Sequence, residues 1–186
     1  MPCIGVVLAG GKSSRMGEDK ALLKLENGNT LLQQSIHILQ NAGIEDVVIS
    51  GDRDGGIADQ ISGLGPLSAI ETVIHKTHAA RLIIIPVDMP LITKALIKEL
   101  LKQGDDENSV YFKQHYLPLN LAVNLKTKRI IRHLIEQPDK KFRSLKSLLE
   151  QIPTKILPFK KQQTAALENI NTPEQWQKLK DNLIEK

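Results

Sequence analysis

From Cys3 to Ala9 no side chain is charged, and the run ends at a glycine pair, Gly10-Gly11. An apolar stretch of strand length that stops at such a pair reads as a strand entering a tight loop, and burial on both faces favours a parallel sheet. The rest of the chain follows the same pattern. Thr30 caps a predicted helix containing Leu31, Leu32, Ile36, Ile38 and Leu39 that stops at Gly43, and Asp46 to Ser50 forms a second strand, completing a βαβ-like unit. Residues 51–65, rich in Gly and Asp, form a long loop ahead of a helix through Ile70, Val73 and Ile74. The run Leu82 to Val87 is then a third strand, ending at Asp88. A helix capped by Thr93 follows, with strands at 110–112 and 119–123, helices at 126–136 and 144–151, a strand at 155–157, and a last helix opened by Thr172-Pro173. Strands alternating with helices define an α/β class: a three-layer α/β/α sandwich around a mainly parallel sheet, a single domain over residues 1–186.

Composition narrows the function. With 41% hydrophobic and 25% charged residues in 186, the chain has the make-up of an ordinary globular domain with a sizeable core. Aromatic residues are only 3%, which leaves little to stack on single-stranded bases, and Lys+Arg exceed Asp+Glu by only 25 to 21; nucleic acid is not an expected partner. The single cysteine, Cys3, excludes an internal disulfide and a multi-cysteine metal cluster. No export signal or membrane-length apolar run is present, so the expected setting is the cytoplasm with no membrane partner.

In sheets of this kind ligands bind beyond the carboxyl ends of strands, which directs attention to the loops after Ala9, Ser50 and Val87. In the first loop, Gly10 and Gly11 let the backbone approach a ligand without Cβ collisions, and their amides suit phosphate oxygens. Arg15 and Lys20 supply the neutralising charge, so the segment reads as a polyphosphate cradle. It is not a Walker loop: Gly11-Lys12-Ser13 matches the tail of that motif, but the earlier required glycine falls on Val6. The G-x-G-x-x-G spacing is absent too. In the third loop Asp88, between Pro86 and Pro90 at the end of a very apolar strand, is a costly carboxylate unless it faces the cleft and meets a cation, for which Mg²⁺ beside substrate phosphates is the natural partner. The five histidines show no metal-ligand spacing with cysteine.

The segment Leu8 to Lys20, L-A-G-G-x-S-x-R-M-G-x-D-K, resembles the signature loop of molybdenum cofactor guanylyltransferases, within the wider nucleotidyltransferase superfamily. Gly65-Pro66-Leu67, Pro86-Val87-Asp88-Met89-Pro90 and Asn169-Ile170-Asn171-Thr172-Pro173 fall in the family's order, so the resemblance spans nearly the whole chain. It implies a Rossmann-like nucleotidyltransferase fold and transfer of GMP from GTP to the terminal phosphate of molybdopterin, with release of pyrophosphate. Proteins that deliver or receive the cofactor would be further partners. It assigns Leu8, Ala9, Gly10, Gly11, Lys20, Ser50, Asp59 and Asp88 to GTP, Asp88 also to Mg²⁺, and catalysis to Arg15, Lys20 and Asp88. A phosphate monoester is already an anionic nucleophile near neutral pH, so such a reaction needs alignment and charge neutralisation more than a general base.

Other positions stay open at this level. Asp59, the only acidic residue between Gly55 and Gly65, suits guanine N1–H and its amine; Asp52 and Asp54 are alternatives. Ser50 stands where better-known members carry asparagine, and Ala69 where the family has glycine, which matters only if that position needs positive φ or a close approach. Asn169 and Asn171 either form an Asx turn or serve the acceptor or metal. A basic wall for the acceptor phosphate is offered by Lys126, Lys128, Arg129 and Arg132, or by Lys140, Lys141 and Arg143. The rival functions are a transferase using CTP or another nucleotide on a molybdopterin or sugar-phosphate acceptor, and a catalytically weak paralogue that carries nucleotide or cofactor. The Gly10-Gly11 pair resembles the guanylyl members, where the cytidylyl relatives have Ala-Gly, and so favours guanine.

Overall fold

The computed structural model describes residues 2–10, 17–58 and 64–184. The strands β1 (Cys3–Leu8), β2 (Val47–Ser50), β3 (Gly56–Ile57), β4 (Arg81–Pro86), β5 (Ser109–Phe112), β6 (His115–Ala122) and β7 (Thr154–Leu157) form one seven-stranded sheet in the order β3-β2-β1-β4-β6-β5-β7. β1 lies parallel to β2 and β4, with Val6 opposite Val48 on one side and Ile84 on the other. β6 is antiparallel to both its neighbours, while β7 runs parallel to β5. Helices α1 (Leu31–Asn41), α2 (Pro66–Thr77), α3 (Lys94–Gln103), α4 (Leu125–Glu136), α5 (Leu145–Leu149) and α6 (Pro173–Ile184) cover the faces. None is long and apolar enough to cross a membrane.

Side-chain alternation in the central strands builds the layers. Ile83 and Ile85 of β4 pack with Val7, Leu39, Leu100 and Trp176 beneath α1, α3 and α6. Leu82 and Ile84 face the opposite way, with Val6, Ile70, Ile131 and Leu148 beneath α2, α4 and α5. The three-layer α/β/α sandwich expected from the sequence is therefore present.

Local signals fix the helix starts. Thr30 accepts from the Gln33 amide at 3.1 Å, and Gln33 Oε1 accepts from the Thr30 amide at 2.8 Å, a reciprocal capping box at the head of α1. Thr30→Ala is expected to cost about 1 kcal/mol of stability, read from the midpoint of urea unfolding; no shift in the midpoint would show that tertiary packing alone sets this terminus. Pro66 opens α2, and Ala69 lies inside it, buried and helical, so no positive φ is required where the family has glycine.

Two sequence expectations need correction. Residues 51–65 are not wholly loop, since Gly56–Ile57 pairs with β2; a strand of this length carries no periodicity to read. Strands 110–112 and 119–123 are also longer than expected, and they form a hairpin closed at Lys113-Gln114, with Gln114 at φ +69°. The first half of β6 is disguised by Pro118, which has no amide for the ladder, and the pairing register slips between Tyr111 and Phe112. The antiparallel β6 carries the chain to the far end of the sheet before α4 begins.

Candidate active site

The chain leaves β1 for β2 on one side and later returns to β4 on the other, so the carboxyl ends of β1 and β4 flank a topological switch point. Backbone pairing continues past both strands: Val87 N donates to Leu8 O at 3.0 Å, and Ala9 N to Ser50 O at 2.8 Å. Leu8, Ala9 and Ser50 thus form the floor, with Ser50 only 2% exposed, and Gly10 emerges into solvent. A Cβ on Gly10 would make only ordinary contacts, whereas Gly51, at φ +152°, would drive one to 3.0 Å from Ala9 C and Gly10 N. Gly11, Arg15 and Asp59 lie outside the described residues.

Lys20 sits on a short 3-10 turn, Lys20–Leu22, that Asp19 caps by accepting from the Ala21 amide at 3.0 Å. Ala21 and Leu23 anchor this turn in the core. The Lys20 ammonium lies 2.8 Å from Asn171 Oδ1 and 3.4 Å from Asp88 Oδ2, with side-chain exposures of 14% for Lys20 and 19% for Asp88. Asp88 projects just beyond β4, and its main-chain carbonyl accepts from Ile170 N at 2.8 Å, which docks the 169–172 segment against it. That segment is organised by other groups. Thr172 Oγ1 caps α6 through Gln175 N at 3.3 Å, and Gln175 Oε1 accepts from Asn171 N at 2.7 Å. The Asn171 side chain is therefore not spent on a turn of its own and points to Lys20; Asn169 is exposed.

Asp88 Oδ1 is buried and has no hydrogen-bond partner among the described residues. A buried carboxylate oxygen left unpartnered is destabilising unless a cation completes it. Among the described residues no group of three or more His, Cys, Asp or Glu is placed to cage a metal. One part-exposed carboxylate with an unpartnered oxygen at the ends of β1 and β4 is a donor Mg²⁺ favours, because that ion keeps waters and substrate oxygens around itself. The residues present therefore fit the ion.

The geometry also separates the two basic clusters. Lys126 and Lys128 stand near the start of α4, at the end of the sheet away from Asp88, and Arg132 Nε is 3.6 Å from Glu71 on α2. Arg143 instead lies beside the head of α2, its carbonyl 3.5 Å from where a Gly65 Cβ would be. Its guanidinium is tied to the carbonyls of Gln137 at 2.7 Å and Pro138 at 3.2 Å. Burial pushes the Cys3 thiol above the usual range, which disfavours the thiolate form.

Sequence reasoning missed Arg53. Its Nη2 donates to Ala9 O at 2.6 Å, and its Nη1 lies 3.2 Å from Asp19 Oδ2. In the sequence it stands inside an Asp-Arg-Asp stretch that reads as solvated loop, and only the adjacency of β2 and β1 exposes its reach.

Comparison with known proteins agrees with this fold. Residues 5–155 match the MobA-like NTP transferase domain. A molybdenum cofactor guanylyltransferase from Xanthomonas euvesicatoria pv. vesicatoria is 39% identical over 181 residues, covering 96% of this chain and 94% of its own. One from Shewanella piezotolerans is 28% identical over 191 residues, covering 95% and 91%. Among solved structures, molybdopterin-guanine dinucleotide biosynthesis protein A from Archaeoglobus fulgidus superposes with a TM-score of 0.74 at 19% identity, covering 98% of this chain and 100% of its own. A Methanothermobacter nucleotidyl transferase gives 0.76 at 15%, covering 98% of each. The chain belongs to the MobA-like nucleotidyltransferase family, within which it groups with the molybdenum cofactor guanylyltransferases.

Proposed function

We propose that this nucleotidyltransferase moves GMP from GTP to the terminal phosphate of molybdopterin, in a Mg²⁺-dependent reaction. In that step an oxygen of the acceptor phosphate forms a bond to the α-phosphorus of GTP, and the bond from that phosphorus to the bridging oxygen of the β-phosphate breaks, releasing pyrophosphate. The observation that carries the reading is the meeting of Lys20, Asp88 and Asn171 at the switch point, residues far apart in the chain, with Asp88 Oδ1 unpartnered among the described residues.

Each group has work suited to its place. The Lys20 ammonium is a compact point charge positioned to balance the negative charge that grows on the departing phosphates. Asn171 Oδ1 holds it there, sparing Asp88 from pairing with it alone. The Gly10 amide lies at the mouth of the cleft, where the tail of a triphosphate is expected. Mg²⁺, when bound at Asp88, would supply a Lewis acid for the phosphoryl oxygens. Arg15 would assist on the pyrophosphate side and Asp59 would read the base, both on the strength of the family resemblance. The segment of Lys140, Lys141 and Arg143, whose Arg143 carbonyl lies beside the head of α2, is the better-placed wall for the acceptor phosphate.

Nucleotide choice tests this reading. In thermal-shift titrations with Mg²⁺, GTP is expected to raise the melting temperature more than CTP or ATP, by the mass-action stabilisation of the native state. Strongest stabilisation by CTP would assign the protein to the cytidylyl branch. Asp59→Ala should reduce the preference for GTP over ATP, measured as the ratio of kcat/KM values; an unchanged ratio would place base reading elsewhere.

A further inference from the structure

Taking the cleft at β1 and β4 as the nucleotide site, which is the reading above, we infer that Arg53 is a positioning residue that sets the distance between the end of β1 and Lys20. The Arg53 backbone is fixed by a compact turn after β2. Arg53 N donates to Gly51 O at 3.1 Å, Gly56 N donates to Arg53 O at 2.9 Å, and Gly51 N donates to Ile57 O at 2.9 Å. Only glycine fits at position 51, where the turn crosses Ala9 and Gly10, so this turn is pressed against the start of the first loop.

From there the side chain reaches both flanks of that loop. Nη2 donates to Ala9 O at 2.6 Å on one flank. On the other, Nη2 lies 3.3 Å from Asp19 Oδ1 and Nη1 3.2 Å from Asp19 Oδ2, a two-pronged grip on one carboxylate. The same Asp19 Oδ1 accepts from Ala21 N at 3.0 Å, so it caps the turn that carries Lys20. A continuous run of contacts thus links the β2 turn to Arg53, Asp19 and Lys20. The guanidinium is 17% exposed, and its Nε is buried with no partner among the described residues. The arginine end of the pair is sequestered while Asp19 is exposed, and the orientation of the guanidinium depends on Ala9 and Asp19.

Joining the two flanks in advance lowers the ordering cost that a nucleotide must meet when it binds. Once the nucleotide is seated, Lys20 is still held by Asp88 and Asn171, so the chemical step should be spared. This gives a signature that a purely structural residue would not produce. Arg53→Ala is expected to raise KM for GTP by about tenfold while kcat stays within about threefold. Arg53→Lys, whose single ammonium cannot grip both flanks, should recover only part of the loss. Asp19→Asn keeps a capping side chain and deletes the charge, so KM should rise by a smaller factor. The double variant should be no worse than Arg53→Ala alone, because both changes break one interaction.

The experiment is steady-state kinetics with GTP, Mg²⁺ and molybdopterin on the wild type and these four variants, with folded fraction checked by thermal unfolding. An unchanged KM in Arg53→Ala, multiplying effects of the two single changes, or losses that follow the folded fraction would overturn the positioning role while leaving the transferase reading intact. A wild type that neither binds GTP nor turns over would overturn both. Should Arg53→Ala fail to fold, Asp19→Asn decides: a raised KM with preserved kcat supports the role, and unchanged kinetics refute it.

Discussion

Replacing Asp88 by asparagine is expected to lower the transfer rate about a thousandfold while the melting temperature of the ligand-free protein stays level or rises. The two halves of that expectation come from different atoms of the residue. Asp88 contributes to the fold through its main-chain carbonyl, which accepts from Ile170 N at 2.8 Å, and the substitution leaves that bond in place. Its carboxylate contributes little to stability, because Oδ1 is buried with no partner among the described residues and Oδ2 meets Lys20 only at 3.4 Å. Removing the charge relieves a carboxylate whose buried Oδ1 the described residues leave unpartnered, and it also removes the hard anionic oxygen that a divalent cation needs. Asp88→Asn should thus separate activity from stability. Wild-type rates in this variant would take Asp88 out of the reaction, and a collapse in melting temperature would show the carboxylate to be structural.

The second large effect is expected for Lys20→Ala, a loss of about a hundredfold in kcat with a smaller rise in KM for GTP. The ammonium stands between Asn171 Oδ1 at 2.8 Å and Asp88 Oδ2 at 3.4 Å, in a setting 14% exposed, where solvent screens it less than it would a surface lysine. Without it the Asp88 carboxylate faces the triphosphate with less compensating charge, and the charge that develops on pyrophosphate loses a pre-placed partner. Lys20→Arg keeps the charge but spreads it over a larger planar fork in place of the compact ammonium that meets Asn171 Oδ1 and Asp88 Oδ2, so it should restore little. A fall in kcat/KM caused by KM alone would show that Lys20 binds the ground state and does not favour the transition state.

The framework was readable because its signals are local and strong. The uncharged β1 and the run Leu82 to Val87 announce buried strands, and the caps at Thr30 and Thr93 set helix starts where the chain places them. The sequence directs attention to the loops beyond the strand ends, and the parallel pairing of β1 and β4 then brings Ala9 and Asp88, and with them Lys20, to one place. The remainder depended on contacts with no local trace. Asn171 reaches Lys20 across 151 positions, and nothing around it distinguishes an Asx turn from a site residue until Thr172 and Gln175 are seen to do the capping. Arg53 reads as one more charge in a polar loop until β2 is known to lie beside β1. Pro118 hid half of β6, and with it the reversal that sends the α4 lysines to the far end of the sheet. Ala69, a departure from the family pattern, loses its significance once it is found in regular helix.

The most direct test is pyrophosphate release in a mixture of the protein, GTP, Mg²⁺ and molybdopterin. Release should require all three additions and should match the guanine dinucleotide formed mole for mole. Saturable GTP binding with no release, or faster release when CTP replaces GTP, would contradict a guanylyl transfer at the Lys20–Asp88 cleft.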